Sequence, residues 1–240
     1  MSAWIVSLEG TEAGRSLALA LAILAAILHA VFGALQKGRH DPWLSRGAID
    51  GAYGLMAMPF ALFVVPWPEP HLWPILAGAF VIHTGYKILQ GYTYVYGAYP
   101  VVYPVVRGTG PFFAVIGAYI VFGETFAPLQ WLGVLTLMAG IFGLAAYNLA
   151  HTTVARDTMP KALMLAVITG GFVALYTTYD AYGIRAASDP FTFLAWFFFI
   201  DGLLFPVVAA VRLRRLPDRP TLPPLLLRGF VGGITAFLSF

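Results

Sequence analysis

Eight stretches of this chain stay apolar for close to twenty residues, and that pattern removes most folds from consideration. They cover roughly residues 16–36, 48–66, 72–93, 98–122, 128–148, 161–184, 191–211 and 222–240. A helix needs about 20 residues to cross about 30 Å of hydrocarbon, whereas a membrane strand needs about 10 with alternating in-out character. The runs have helical length and lack the alternation, so the expected fold is all-α and polytopic. Composition agrees: 60% of residues are hydrophobic and 10% charged, and mean hydropathy is +0.80, far from a soluble domain. Trp43, Trp67, Trp73 and Trp131 fall near run ends, where an amphipathic ring prefers the headgroup level.

Other classes are disfavoured by simple counts. The chain has no cysteine, which excludes disulfides and thiolate metal sites. A formal charge of +3 sits mostly in loops, so no nucleic-acid partner is expected. No metal or cofactor motif is present: the triplet Gly108-Thr109-Gly110 is too short for a phosphate loop and lacks its lysine. Residues 1–14, with Glu9 and Glu12, lead into a run too long for a signal peptide, so the first run is expected to be a true helix.

A duplication is written into the chain. Ile49-Asp50-Gly51 and Ile200-Asp201-Gly202 are the same tripeptide, and Pro66/Pro217, Gly78/Gly229 and Thr84/Thr235 keep the same offset. Asp41-Pro42 matches Asp189-Pro190 at nearly that offset. Residues 1–148 hold five runs and 149–240 three, so the expected architecture is an inverted repeat of five-helix units, ten helices in all with about eight present here. Lys37, Arg39, Arg46, Arg156, Lys161, Arg212, Arg214, Arg215 and Arg219 fall on one side of such a topology, opposite Arg15 and Arg185. The positive-inside rule then places the N-terminus outside the cytoplasm.

Polar residues inside the runs are the candidate site, because charge in hydrocarbon is costly. Tyr99, Tyr103 and Arg107 are spaced by four and share a helix face. A guanidinium flanked by phenols suits a carboxylate, phosphate or phosphonate. The structural alternative is an internal ion pair with Asp50, Asp180 or Asp201. Pro104, Gly108, Gly110 and Pro111 predict a kink or break beside the arginine. On the third run His83 and Lys87 are four apart, with Tyr86 and Gln90 on the adjoining face. His83 is a candidate proton relay or an interhelix hydrogen bond, and Lys87 a charge-balancing group or a snorkelling surface lysine. Tyr176, Thr177, Tyr179 and Asp180 make the sixth run polar on one side. Asp180 and Asp201 are the candidate intramembrane acids for proton coupling or charge balance, whereas Asp50 is expected nearer an interface. Trp196 joins Tyr92, Tyr94 and Tyr96 as aromatic surface for an apolar substrate portion. Gly133, Gly140, Gly143, Gly170 and Gly171 are expected to permit close helix packing.

The segments "LHAVFGALQK", "YPVVRGTGPFFAVIGAYIVFGE" and "LGVLTLMAGIFG" resemble the drug/metabolite transporter superfamily, specifically its EamA-type members of bacterial inner membranes. Val31, Phe32 and Gly33 depart from the small polar residue and asparagine usual after His-Ala in that group. The resemblance implies two inverted five-helix repeats around a central cavity, both termini in the cytoplasm, and export of metabolites by alternating access. On this footing the expected function is a secondary transporter exporting small organic metabolites, with anionic or zwitterionic, amino-acid-like compounds as candidates, across the inner membrane, driven by a proton gradient or by the solute's own gradient. The competing reading is an intramembrane enzyme acting on a lipid headgroup or phosphate, for which no nucleophile with a base or carboxylate-rich pattern is found.

Overall fold

The computed structural model describes residues 7–8, 10–35, 41–153, 156–217 and 220–238. Glu9, Lys37, Arg39 and Arg219, which enter the charge reading, and residues 239–240, which close the eighth run, lie outside the described residues. Among the described residues the chain is helical without strands: α1 (Glu12–Leu35), α2 (Pro42–Phe63), α3 (Leu72–Tyr96), α4 (Tyr99–Phe122), α5 (Pro128–His151), α6 (Met159–Ala186), α7 (Pro190–Asp201), α8 (Leu204–Arg215) and α9 (Leu222–Leu238).

Six segments are long and apolar enough to cross a bilayer: α1, α3, α4, α5, α6 and the stretch Pro190–Arg215 that holds α7 and α8. The other two expected runs are helical but fall short on those criteria. Polar and small residues, including Ser45, Arg46, Asp50 and three glycines, dilute α2, and α9 is 17 residues long.

The ends are set by local chemistry. The Asp41 carboxylate accepts from the backbone of Trp43 at 2.9 Å and Leu44 at 3.2 Å, and Pro42 opens α2. Asp189 accepts from the backbone of Phe191 at 3.2 Å, and Pro190 opens α7. The duplicated Asp-Pro pair thus does the same job twice. α4 stops at Gly123, whose φ of 67° places it in the left-handed region.

Two expectations about helix continuity change. The predicted break at Pro104, Gly108, Gly110 and Pro111 is not found: α4 is helical from Tyr99 to Phe122 with both prolines inside. Each proline removes one ladder bond while the bonds on either side persist. The glycines serve packing instead, since a Cβ on Gly108 would meet Ile141 at 2.9 Å and one on Gly110 would meet Val173 at 3.1 Å. The seventh run, expected as one helix, is interrupted at Gly202-Leu203. Pro206 has no N–H to return to Gly202; after a last regular bond from Gly202 N to Phe198 O at 3.0 Å, the chain tightens through Leu203 N to Ile200 O at 3.2 Å.

The helices gather into two compact units, one made of the described residues up to Leu76 and from Ile184 onward, the other of Ala77–Gly183. In the first unit α2 lies between two partners. Gly47 approaches Phe205 and Ala209, Gly51 approaches Pro206, and Gly54 approaches Gly202, so α2 and α7–α8 run antiparallel. Gly229 meets Ala48, Gly232 meets Ile49 and Gly233 meets Ala52, so α2 and α9 run parallel. In the second unit α4 and α6 run parallel through Gly110 against Val173, Gly117 against Thr178 and Gly170 against Thr109. Its apolar core joins Val101, Val102, Val105 and Val106 of α4 to Ala145 of α5 and to Met159, Ala162 and Ala166 of α6.

Of the glycines expected to pack closely, Gly170 does so, but Cβ atoms at Gly133, Gly140, Gly143 and Gly171 would meet nothing within 4 Å. Helix α5 buries Ala145 alone among its described side chains, so among the described residues its glycines receive no close neighbour.

Candidate functional site

The second unit collects most of the predicted polar residues. On α4 the Tyr99 and Tyr103 rings stack with centroids 4.9 Å apart, and the Arg107 guanidinium lies 5.6 Å from the Tyr103 ring centre. Spacing by four produces this column, each side chain leaning over the turn before it. Tyr94 from α3 reaches the same column, 5.2 Å from Tyr99. Tyr86 of α3 and Tyr176 of α6 meet edge to face at 5.0 Å, and Tyr86, Tyr94, Tyr103 and Tyr176 all lie within electrostatic reach of the guanidinium. The aromatic members Tyr92 and Tyr96 stack with each other at 6.2 Å farther along α3.

A second polar pair crosses from α3 to α6. His83 Nε2 lies 2.8 Å from Asp180 Oδ2, and both side chains are buried. The Tyr176 ring is 4.5 Å from the His83 ring, which connects this pair to the phenol cluster. One turn beyond His83, Lys87 is 2% exposed; a lysine so covered by protein does not snorkel to the interface, and that alternative is dropped. Gln90 donates to the Tyr86 hydroxyl at 2.6 Å. Tyr179 sits beside Gly78, where a Cβ would collide with its hydroxyl, and 6.3 Å from Tyr182.

The acids proposed as counter-ions to Arg107 have other partners. Asp180 holds His83. Asp50, expected near an interface, is 0% exposed, with Oδ1 2.7 Å from Arg46 Nε. Asp201, 2% exposed, accepts from the Tyr53 hydroxyl at 2.6 Å. Among the described residues no carboxylate pairs with Arg107. The two Ile-Asp-Gly copies meet in the first unit, where α2 crosses α7 backbone to backbone. A Cβ on Gly202 would lie 2.6 Å from Gly54 Cα and 2.8 Å from the Asp50 carbonyl. Trp196 also belongs to the first unit, packed 4.7 Å from Trp67 and 5.5 Å from Trp73, so its environment is a tryptophan cluster rather than the phenols.

Comparison with family models, curated proteins and solved structures finds no match. The chemistry must therefore be read from the residues themselves.

Reading by residue type missed Tyr53 and counted Arg46 only among the loop charges; they partner the two buried acids of the first unit, Asp201 and Asp50. A signal existed: Arg46 and Asp50 are four apart, and Tyr53 follows within the same run. It also missed Arg228, which belongs to α9 and is 6% exposed. An apolar cleft of about 310 Å³ lined by Met56, Phe60, Ile234, Phe237 and Leu238 offers no group to orient a polar solute.

Proposed function

We propose that the chain is a secondary transporter of small organic anions or zwitterions across the inner membrane, an EamA-type member of the drug/metabolite transporter superfamily. The observation that carries this reading is Arg107: a permanently charged fork in an apolar run, set among phenols, with no carboxylate partner among the described residues. A guanidinium without a counter-charge inside an apolar span is expensive, and a bound carboxylate or phosphonate supplies the missing charge with two parallel hydrogen bonds. Tyr99, Tyr103, Tyr86 and Tyr176 orient the ligand through hydroxyls and ring faces.

The His83–Asp180 pair is the coupling element in this proposal. Gain of a proton makes the pair cationic in part and neutral overall, and its loss leaves a net negative charge, so the electrostatic balance around the ligand follows the proton gradient. Lys87, one turn away on the same helix, is the further charge-balancing group in this reading. Alternating access then means that loading the site changes which face of the membrane it opens to.

The test is counterflow in proteoliposomes with anionic, zwitterionic, neutral and cationic metabolites, comparing the native chain with Arg107→Gln at equal folded amounts. Exchange of an acid or zwitterion that vanishes in the variant supports the proposal. Exchange that persists removes Arg107 from the site, and exchange of nothing in the panel turns attention to lipid-headgroup chemistry.

A further inference from the structure

Arg228 presents a buried guanidinium, in the first unit. Its side chain is 6% exposed, and Nη1 donates to the Ser45 hydroxyl at 3.3 Å. Ser45 is itself 3% exposed and neutral. Among the described residues no carboxylate pairs with Arg228: Asp41 takes Arg212 and Asp50 takes Arg46. A guanidinium has five N–H donors in a planar fork, so most of its capacity and all of its charge are left to an acceptor outside this set.

The surroundings say what kind of acceptor. Because α2 and α9 run parallel, their N-terminal ends share one side of the unit, and the positive ends of both helix dipoles lie there. The C-terminal turn of α8, with Arg212, Arg214 and Arg215, reaches the same end through the Arg212–Asp41 pair. Five arginines, counting Arg46 and Arg228, stand there against Asp41 and Asp50. Arg228 is six residues into α9, about 9 Å from the helix start at 1.5 Å per residue. Its side chain leans back toward that start, which is headgroup depth for an apolar helix. The flank beside it faces outward and is apolar: Leu222, Leu226, Leu227 and Phe230 are all exposed.

We propose that Arg228 and Ser45 form a phosphate site for the headgroup of an anionic phospholipid, whose acyl chains run along Leu226, Leu227 and Phe230. The planar fork matches two phosphate oxygens and the serine hydroxyl supplies a third contact. The adjoining exposed leucines favour a lipid over a free anion, because a soluble phosphate has no use for them.

The test uses the full chain purified in mild detergent, with thermal unfolding followed after addition of phosphatidylglycerol, of phosphatidylcholine with the same acyl chains, or of inorganic phosphate. Phosphatidylglycerol is expected to raise the midpoint by about 2–4 °C beyond phosphatidylcholine. Arg228→Gln should abolish that difference, and Ser45→Ala should reduce it. Where Arg228→Gln does not fold, Arg228→Lys and Ser45→Ala carry the test, each with a smaller lipid difference than the native chain. A rise with inorganic phosphate equal to that with phosphatidylglycerol overturns the lipid assignment. Equal lipid responses in the native chain and these variants overturn the site altogether.

Discussion

Arg107 is legible in sequence as an oddity, and its spacing from Tyr99 and Tyr103 already predicts a shared face, because helical periodicity is a property of a single segment. What it faces is not legible. His83 meets Asp180 across 97 positions and Tyr53 meets Asp201 across 148, and nothing local encodes the register between two helices. Arg107→Lys is expected to lower counterflow at least about tenfold with unchanged expression and melting, since a point charge cannot replace a bidentate fork. At the loop between α2 and α3, the Ser188 hydroxyl holds the Glu69 carboxyl below the usual carboxylate range. A depressed native value means the contact contributes stability above the unfolded-state value and loses it as pH falls through the folded one. Ser188→Ala should move the Glu69 titration upward, toward the ordinary range. Carbon-13 labelling of the four glutamates makes that shift readable by NMR, and an unmoved titration would remove Ser188 as its cause.

At the level of the helix, length and apolarity were readable, and six segments meet the standard for crossing a bilayer. Continuity was not. Prolines 104 and 111 sit inside an unbroken α4, whereas the break falls before Pro206, in a run whose apolarity gives no hint of it. The difference lies in what surrounds each proline: α4 is backed by the valine core and by the glycine contacts with α5 and α6, while Gly202 lies against another backbone. Glycines show the same limit, since the pattern alone does not distinguish those that receive a neighbour from those that receive none. Gly54→Val and Gly202→Val should each cost about 1–3 kcal/mol or more through overpacking. Gly140→Val should stay within about 0.5 kcal/mol, as expected of a position with no close neighbour. Melting of the three variants in one detergent separates these cases, and equal losses would mean that the α2–α7 crossing is looser than described.

For the whole chain, one contact within each unit brings two of the connections together. His71 Nε2 lies 3.0 Å from the Ala186 carbonyl, joining the α2–α3 and α6–α7 connections, and Thr158 donates to the Tyr96 carbonyl at 2.5 Å, joining the α3–α4 and α5–α6 connections. If each of the eight apolar runs of the sequence crosses once, with α7–α8 as one rod, a thiol placed at Thr125 or Ser188 is expected to react with an impermeant maleimide from one face, and a thiol at Asp157 or Thr221 from the other. All four positions are exposed and the chain has no cysteine to interfere; labelling of all four from one face would refute the eight-rod topology. The repeated tripeptide was readable in the sequence, but that the two Ile-Asp-Gly segments lie against each other required the fold. That crossing has a consequence for hydration. A rod that ends in its own middle exposes a carbonyl that the helix ahead cannot satisfy, because Pro206 offers Gly202 no donor. Water or a side chain must reach it. Amide exchange at Leu204, the first residue after the break, should therefore run well ahead of exchange at Ala174, in the unbroken middle of α6, which would make the most uniformly apolar span of the sequence the one with a hydrated joint.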